Sequence, residues 1–120
     1  MALLISLIKA PSNVVLPRKE YSFDKTGGRI GRSTTNEWVL PDPEKFLSSL
    51  HCEVIFDKGH YYIEDRSTNG TFANGSLEPI GKGNRFALTS GCTIEMGDYH
   101  FTATLTDSDV VDVQSFQSSS

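Results

Sequence analysis

Apolar and polar positions alternate in short stretches along this 120-residue chain, and none settles into a helical period longer than one turn. Leu3 to Ile8, Glu20 to Phe23, Arg29 to Arg32 and Glu37 to Leu40 read as strands. His51 to Phe56 and His60 to Asp65 are the arms of a hairpin turned by Lys58-Gly59. Thr71-Phe72-Ala73 is a very short strand, and Leu77 to Ile80 is a candidate edge strand. Arg85 to Leu88, Cys92 to Met96 and Tyr99 to Leu105 complete the set. Pro41-Asp42-Pro43 forbids helix and ladder pairing locally, and Glu44 to Leu50 is open to one helical turn or an irregular path. About ten or eleven short strands with turns between them predict an all-β fold, a two-sheet sandwich or a barrel.

The punctuation is densest at Asp65 to Gly75, which holds two Asn-Gly pairs, Asn69-Gly70 and Asn74-Gly75. Both residue types tolerate positive φ, so each pair predicts a turn. Ser67, Thr68 and Asn69 crowd the first loop with hydroxyl and amide groups. Such a loop holds its own backbone in shape or binds something polar.

Size and composition narrow the classes. One domain is expected over residues 1–106, followed by an acidic, Ser-rich segment at 107–120 that reads as a tail or linker. A net charge of −4 argues against general nucleic-acid binding but leaves room for a small cationic pocket. Cys52 and Cys92 sit in apolar strand contexts, which predicts free thiols and a reducing compartment. Met1 to Ile8 is apolar but lacks a basic start and a cleavage site, and nothing reaches the length of a membrane span. No membrane association and no cofactor are expected.

Three polar clusters fall in loops between strands: Gly31-Arg32, Ser48-Ser49-Leu50-His51, and Thr68-Asn69 with Asn74. Together they supply a cation, hydroxyls and amides, a set that suits an oxyanion held by charge-assisted hydrogen bonds. The bland reading is a solvated arginine and loop residues that cap turns. A catalytic reading would use Ser48 and His51, but no nucleophile elbow surrounds the serine and no third member is placed. A metal reading would draw on His51, Cys52, His60, Cys92 or His100, which lack ligand spacing. Neither an enzyme nor a metal site is expected.

In this order and spacing, Gly31-Arg32, Ser48-x-x-His51 and Ser67-Thr68-Asn69-Gly70-Thr71-x-x-Asn74-Gly75 resemble the signature of the forkhead-associated (FHA) domain. Asn36 to Leu40 and Gly91-x-x-Ile94-x-Met96-Gly97 add to the resemblance, which covers roughly residues 3–106. It implies an FHA-type β-sandwich of about eleven strands that reads phosphothreonine in peptides. By that resemblance Arg32 and Ser48 grip the phosphate, Ser49 and Thr68 add hydrogen bonds, and Asn69 holds the peptide backbone and helps present its +3 residue. Gly31, His51, Gly70 and Asn74 are implied to support the site structurally. Ser49 departs from the basic residue that many relatives carry there, so the positive field is thinner. The alternative is a phosphate-independent interaction module using sandwich faces or edges.

A narrower resemblance joins Asp42-Pro43-Glu44-Lys45-Phe46, the Pro79 to Gly83 insert and Gly97-Asp98-Tyr99 to FHA proteins of type VI secretion. It implies the N-terminal domain of a longer bacterial cytoplasmic chain. The partner would be a phosphothreonine-containing protein or peptide, such as a secretion-system component or a Ser/Thr kinase.

Overall fold

The computed structural model describes residues 2–16 and 18–106, so the segment read as a tail, 107–120, lies outside the described residues. Ten strands follow one another: β1 (Ala2–Lys9), β2 (Glu20–Phe23), β3 (Gly28–Gly31), β4 (Trp38–Val39), β5 (Cys52–Asp57), β6 (His60–Asp65), β7 (Phe72–Ala73), β8 (Arg85–Ala87), β9 (Thr93–Met96) and β10 (Tyr99–Thr106). They form two five-stranded sheets, β2-β1-β10-β9-β7 and β4-β3-β5-β6-β8. Every pairing is antiparallel except β3 with β4. No helix occurs among the described residues.

Period-two alternation makes the sandwich. In β5 and β6, Cys52, Val54, Tyr61 and Ile63 turn inward, and in β10 so do Tyr99, Phe101 and Ala103. The sheets meet where Trp38 packs edge-on against Phe101, ring centroids 5.1 Å apart, and where the Tyr61 hydroxyl donates to the Phe23 carbonyl at 3.3 Å. Both cysteines are buried and free. The hairpin turn forms as its residues dictate: Lys58 and Gly59 both have positive φ, 50° and 86°, the pairing that matches strand twist.

One local expectation is corrected, and one choice left open by the sequence is resolved. Leu77 to Ile80 forms no strand: Ser76 Oγ bonds locally to Glu78, and Pro79 has no N–H for a ladder. Glu44 to Leu50 makes no helical turn. The Asp42 carboxylate takes the Glu44 and Leu47 amides at 3.2 and 2.7 Å, and Lys45 sits at φ 59°. That local capture offers the backbone an alternative to helix.

The register decides where the loops go. Ile30 pairs with Cys52, and Cys52 with Asp65, so β3 ends, β5 begins and β6 ends in one row. The loops at 32–37, 40–51 and 66–71 therefore leave the same end of the sandwich. The terminal strands lie side by side with Ala2 opposite Thr106. Thr106 is seven residues beyond Tyr99, roughly 23 Å along a strand, whereas Tyr99 hydrogen-bonds Pro41 near the loop end.

Candidate functional site

A buried layer of polar groups underlies the loop end. His51 is fully buried; its Nδ1 accepts the Ser48 amide at 3.1 Å and its Nε2 lies 3.0 Å from the Gly70 carbonyl. An amide only donates, so Nδ1 is the bare nitrogen and Nε2–H donates to Gly70. Burial holds the ring's pKa below the usual histidine value, outweighing the Gly70 carbonyl and nearby Asp65, which pull it up. One neutral imidazole thus ties the Ser48 turn to the Gly70 turn. It leaves no nitrogen for the Ser48 hydroxyl, so the catalytic pairing has no geometry here.

Asp65 does the same work for the neighbouring loop. Its carboxylate accepts from the Ser67 amide and hydroxyl at 2.9 and 2.6 Å and from the Thr71 amide and hydroxyl at 3.3 and 3.0 Å. It also accepts from the Gly81 amide at 3.1 Å. Burial would raise its pKa, but the bonds from Ser67 and Thr71 outweigh that and hold it below the usual value. Ser67 Oγ passes the order on by accepting the Gly70 amide at 2.8 Å.

The outer layer is the set singled out from the sequence. Arg32 donates its amide to the Ser48 carbonyl at 3.1 Å and its Nε to the Leu47 carbonyl at 3.1 Å, which leaves Nη2 3.5 Å from Ser49 Oγ. Ser48 Oγ accepts the Thr68 amide at 3.0 Å. Asn69 Nδ2 donates to the Phe46 carbonyl at 2.7 Å. Ser49, Thr68 and Asn69 are exposed or half-exposed, so Arg32, Ser48, Ser49, Thr68 and Asn69 come together at the surface of the loop end.

Two glycines explain the close approach. A Cβ on Gly31 would run into the Ser49 carbonyl oxygen and stand 2.8 Å from the His51 amide nitrogen, so only glycine lets the Arg32 and Ser48 loops meet. Gly70 has φ 105°, where its carbonyl reaches His51. Asn74 differs in place from the other supporting residues. Its amide and Oδ1 bond Thr93 at 2.9 and 3.1 Å, so it braces β7 on β9 rather than the Ser67-to-Thr71 loop.

Three organisers were not singled out from the sequence. Asn36 Nδ2 reaches the Ser33 and Ser49 carbonyls at 2.9 and 2.6 Å and fastens the first loop to the second. Asp42 folds 42–47, and Asp65 folds 65–71. The Asp-x-Ser-x-x-x-Thr spacing was the signal for Asp65; Asn36 and Asp42 stood in segments that resemble the family, with no sign of their bracing role.

Comparison with known proteins bears on most of the chain. A family model described as the FHA domain matches residues 28–97. A Dictyostelium discoideum protein described as probable serine/threonine-protein kinase fhkA is 39% identical over 77 residues, 57% of this chain but 12% of that protein. The chain thus spans about an eighth of that relative. Mycobacterium tuberculosis EmbR, solved in complex with a low-affinity phosphopeptide, matches with TM-score 0.68 and 25% identity over 86% of this chain and 24% of that one. The N-terminal FHA domain of S. cerevisiae Rad53p, solved with a phosphothreonine peptide, matches with TM-score 0.69 and 21% identity over 89% of this chain and 95% of that one.

Proposed function

The chain belongs to the forkhead-associated family, and from that premise we propose that it binds phosphothreonine in peptides and so joins proteins in a phosphorylation-dependent way. The observation that carries this reading is the Ser48 hydroxyl. Because its oxygen accepts the Thr68 amide, its hydrogen remains to donate, and its two chain neighbours, Leu47 and Ser49, both meet the Arg32 guanidinium. A phosphate near neutral pH carries about −1.5 to −2 charge and three acceptor oxygens. Arg32 supplies the cation, and Ser48 and Ser49 from one loop and Thr68 from another supply hydroxyl donors. Asn69 spends one amide hydrogen on the Phe46 carbonyl and keeps Oδ1 to accept a peptide N–H. That two solved relatives were captured with phosphopeptides supports phosphopeptide binding as the reading.

Buried His51 and Asp65 fix the loops beforehand, which lowers the ordering cost of binding. The threonine preference rests on its γ-methyl, worth about 0.8 kcal/mol if buried. Titration with one peptide in phosphothreonine, phosphoserine and unmodified forms tests the reading. The first should bind near micromolar, about −8 kcal/mol, the second more weakly and the third not at all. Equal binding of all three would favour the second reading, a phosphate-independent module. Its one specific support is Ser49, which leaves Arg32 as the single cation of the outer set.

The finer context belongs to the same proposal. A domain of residues 1–106 with 107–120 leading into further chain, a cytoplasmic setting, and a secretion-system component or Ser/Thr kinase as partner follow the type VI secretion resemblance of Asp42 to Phe46 and Gly97-Asp98-Tyr99. Co-purification of a phosphorylated secretion component that is lost in Arg32→Ala would support it; recovery of that component unphosphorylated would overturn it.

A further inference from the structure

A second concavity opens beside the outer set, and two residues belong to both. The Phe46 carbonyl holds Asn69 and the Leu47 carbonyl holds Arg32, so the backbone of 46–47 backs the candidate phosphate site. The side chains of the same two residues line a cleft of about 400 Å³. Phe72, Leu77 and Tyr99 extend its apolar surface. Phe46 is 49% exposed and Leu77 96%, so much of that surface is uncovered. Four carboxylates, Asp42, Glu44, Glu95 and Asp98, stand around it, and no lysine or arginine lines it. Asp42 is occupied by the amides of its own loop, and Glu95 has His100 at 3.9 Å. Among the described residues Glu44 and Asp98 are in no ion pair.

We propose, resting on the phosphopeptide reading above, that this cleft takes the side chain of a lysine or arginine a few residues from the phosphothreonine of the same peptide. Such a side chain has an apolar stem and a cationic head. The stem would lie on Phe46 and Leu77, and the head would sit among the carboxylates, with the Phe46 ring as a further cation partner. An acidic side chain entering there would be repelled by the four carboxylates. The peptide is therefore read at two points of opposite sign, phosphate against Arg32 and cation against the cleft. Two such points fix its direction across the loop end as well as its affinity.

The test is a titration of the chain with phosphothreonine peptides that differ at one position near the phosphothreonine, carrying lysine, norleucine or glutamate. Each peptide is made with and without phosphate. At one position lysine should bind about five- to tenfold tighter than glutamate at low salt, with norleucine between, and the spread should narrow as salt screens the charges. Glu44→Gln combined with Asp98→Asn should cut the lysine preference to about twofold or less and leave the norleucine peptide unchanged. Both residues are exposed, so the fold is not at stake. Equal affinity for lysine and glutamate at every position, or a preference that survives in the double variant, overturns the cleft assignment while phosphate dependence stands. Binding that ignores the phosphate altogether overturns the reading beneath it and the inference with it.

Discussion

The loop end holds two polar layers a few ångströms apart, and their hydrogen bonding is opposite in kind. In the inner layer, His51 uses both ring nitrogens and Asp65 takes five donors, all from within the chain. In the outer layer, Arg32, Ser48 and Asn69 each make enough internal bonds to be held and keep a donor or acceptor over. Buried polar groups must be satisfied or they cost free energy, whereas exposed ones have water as a fallback. The same residue types therefore serve scaffold or ligand according to depth. Changes to the inner layer should act on stability, and changes to the outer layer on binding.

The largest effect is expected at Asp65. Asp65→Ala leaves the amides of Ser67 and Thr71, in a buried loop, and of half-buried Gly81 without their acceptor. At about 1–3 kcal/mol for each buried group left unpaired, unfolding in denaturant should show a loss of 3 kcal/mol or more. A loss under about 1 kcal/mol would mean that water replaces the carboxylate and that the inner layer is not needed to hold the loop.

Arg32→Ala should break the other half of the comparison. It removes a charge-assisted contact worth roughly 1.5–3 kcal/mol, which lowers phosphopeptide affinity about ten- to a hundredfold or more while the thermal melt stays near wild type. A melt that falls along with affinity would place Arg32 in the scaffold.

His51→Ala sits between them. It should lower the melting temperature first and weaken binding as a consequence, because the Ser48 and Gly70 turns lose their shared brace. His51 also carries a pH signature. Its pKa in the fold lies below the unfolded value near 6.5, so the unfolded chain binds the proton more readily. The stability it contributes is complete above that value and is lost as pH falls toward the folded pKa. Wild type should become less stable below pH 6.5, and His51→Ala should lack that share of the slope. A slope unchanged by the substitution would refute the assignment of the neutral, bonded ring.

The smallest effect tests the departure in the outer layer. Ser49→Arg should tighten phosphopeptide binding about two- to fivefold at low salt, as expected for a partly exposed pair. The gain should shrink at physiological ionic strength, where screening acts over roughly 8 Å. No gain at either salt would mean that residue 49 does not face the phosphate.

Much of this was legible in the residues. Alternation located the core strands because each buries a single face, and Lys58-Gly59 and Asn74-Gly75 located turns in which both residues take positive φ, whereas Asn69-Gly70 marks a bend in which only Gly70 does. Leu77 to Ile80 misled because its apolar positions suggest an edge strand, while Pro79 and the Ser76 hydroxyl settle the backbone locally. The outer layer stood out as a cation, hydroxyls and amides gathered in loops, and its order matched the FHA signature. Asn36 and Asp42 stayed hidden because their partners are backbone carbonyls and amides, which leave no mark on side-chain identity. The acidic cleft was equally silent, since Asp42, Glu44, Glu95 and Asp98 come from segments that only the packing of β9 and β10 against the 42–47 loop brings together.

The most direct test of the two-layer account is a titration of the isotopically labelled chain with one phosphothreonine peptide and its unmodified twin, followed through backbone and arginine side-chain NMR signals. With the phosphopeptide, the largest shifts should fall on Arg32 Nε–H and on the amides of Ser48, Ser49, Thr68 and Asn69. Those of His51 and Thr71 should move little, and the unmodified peptide should leave all of them unchanged. Shifts of the same size with both peptides, or shifts gathered on the sheet faces with the loop end silent, would contradict a phosphate site at Arg32 and Ser48.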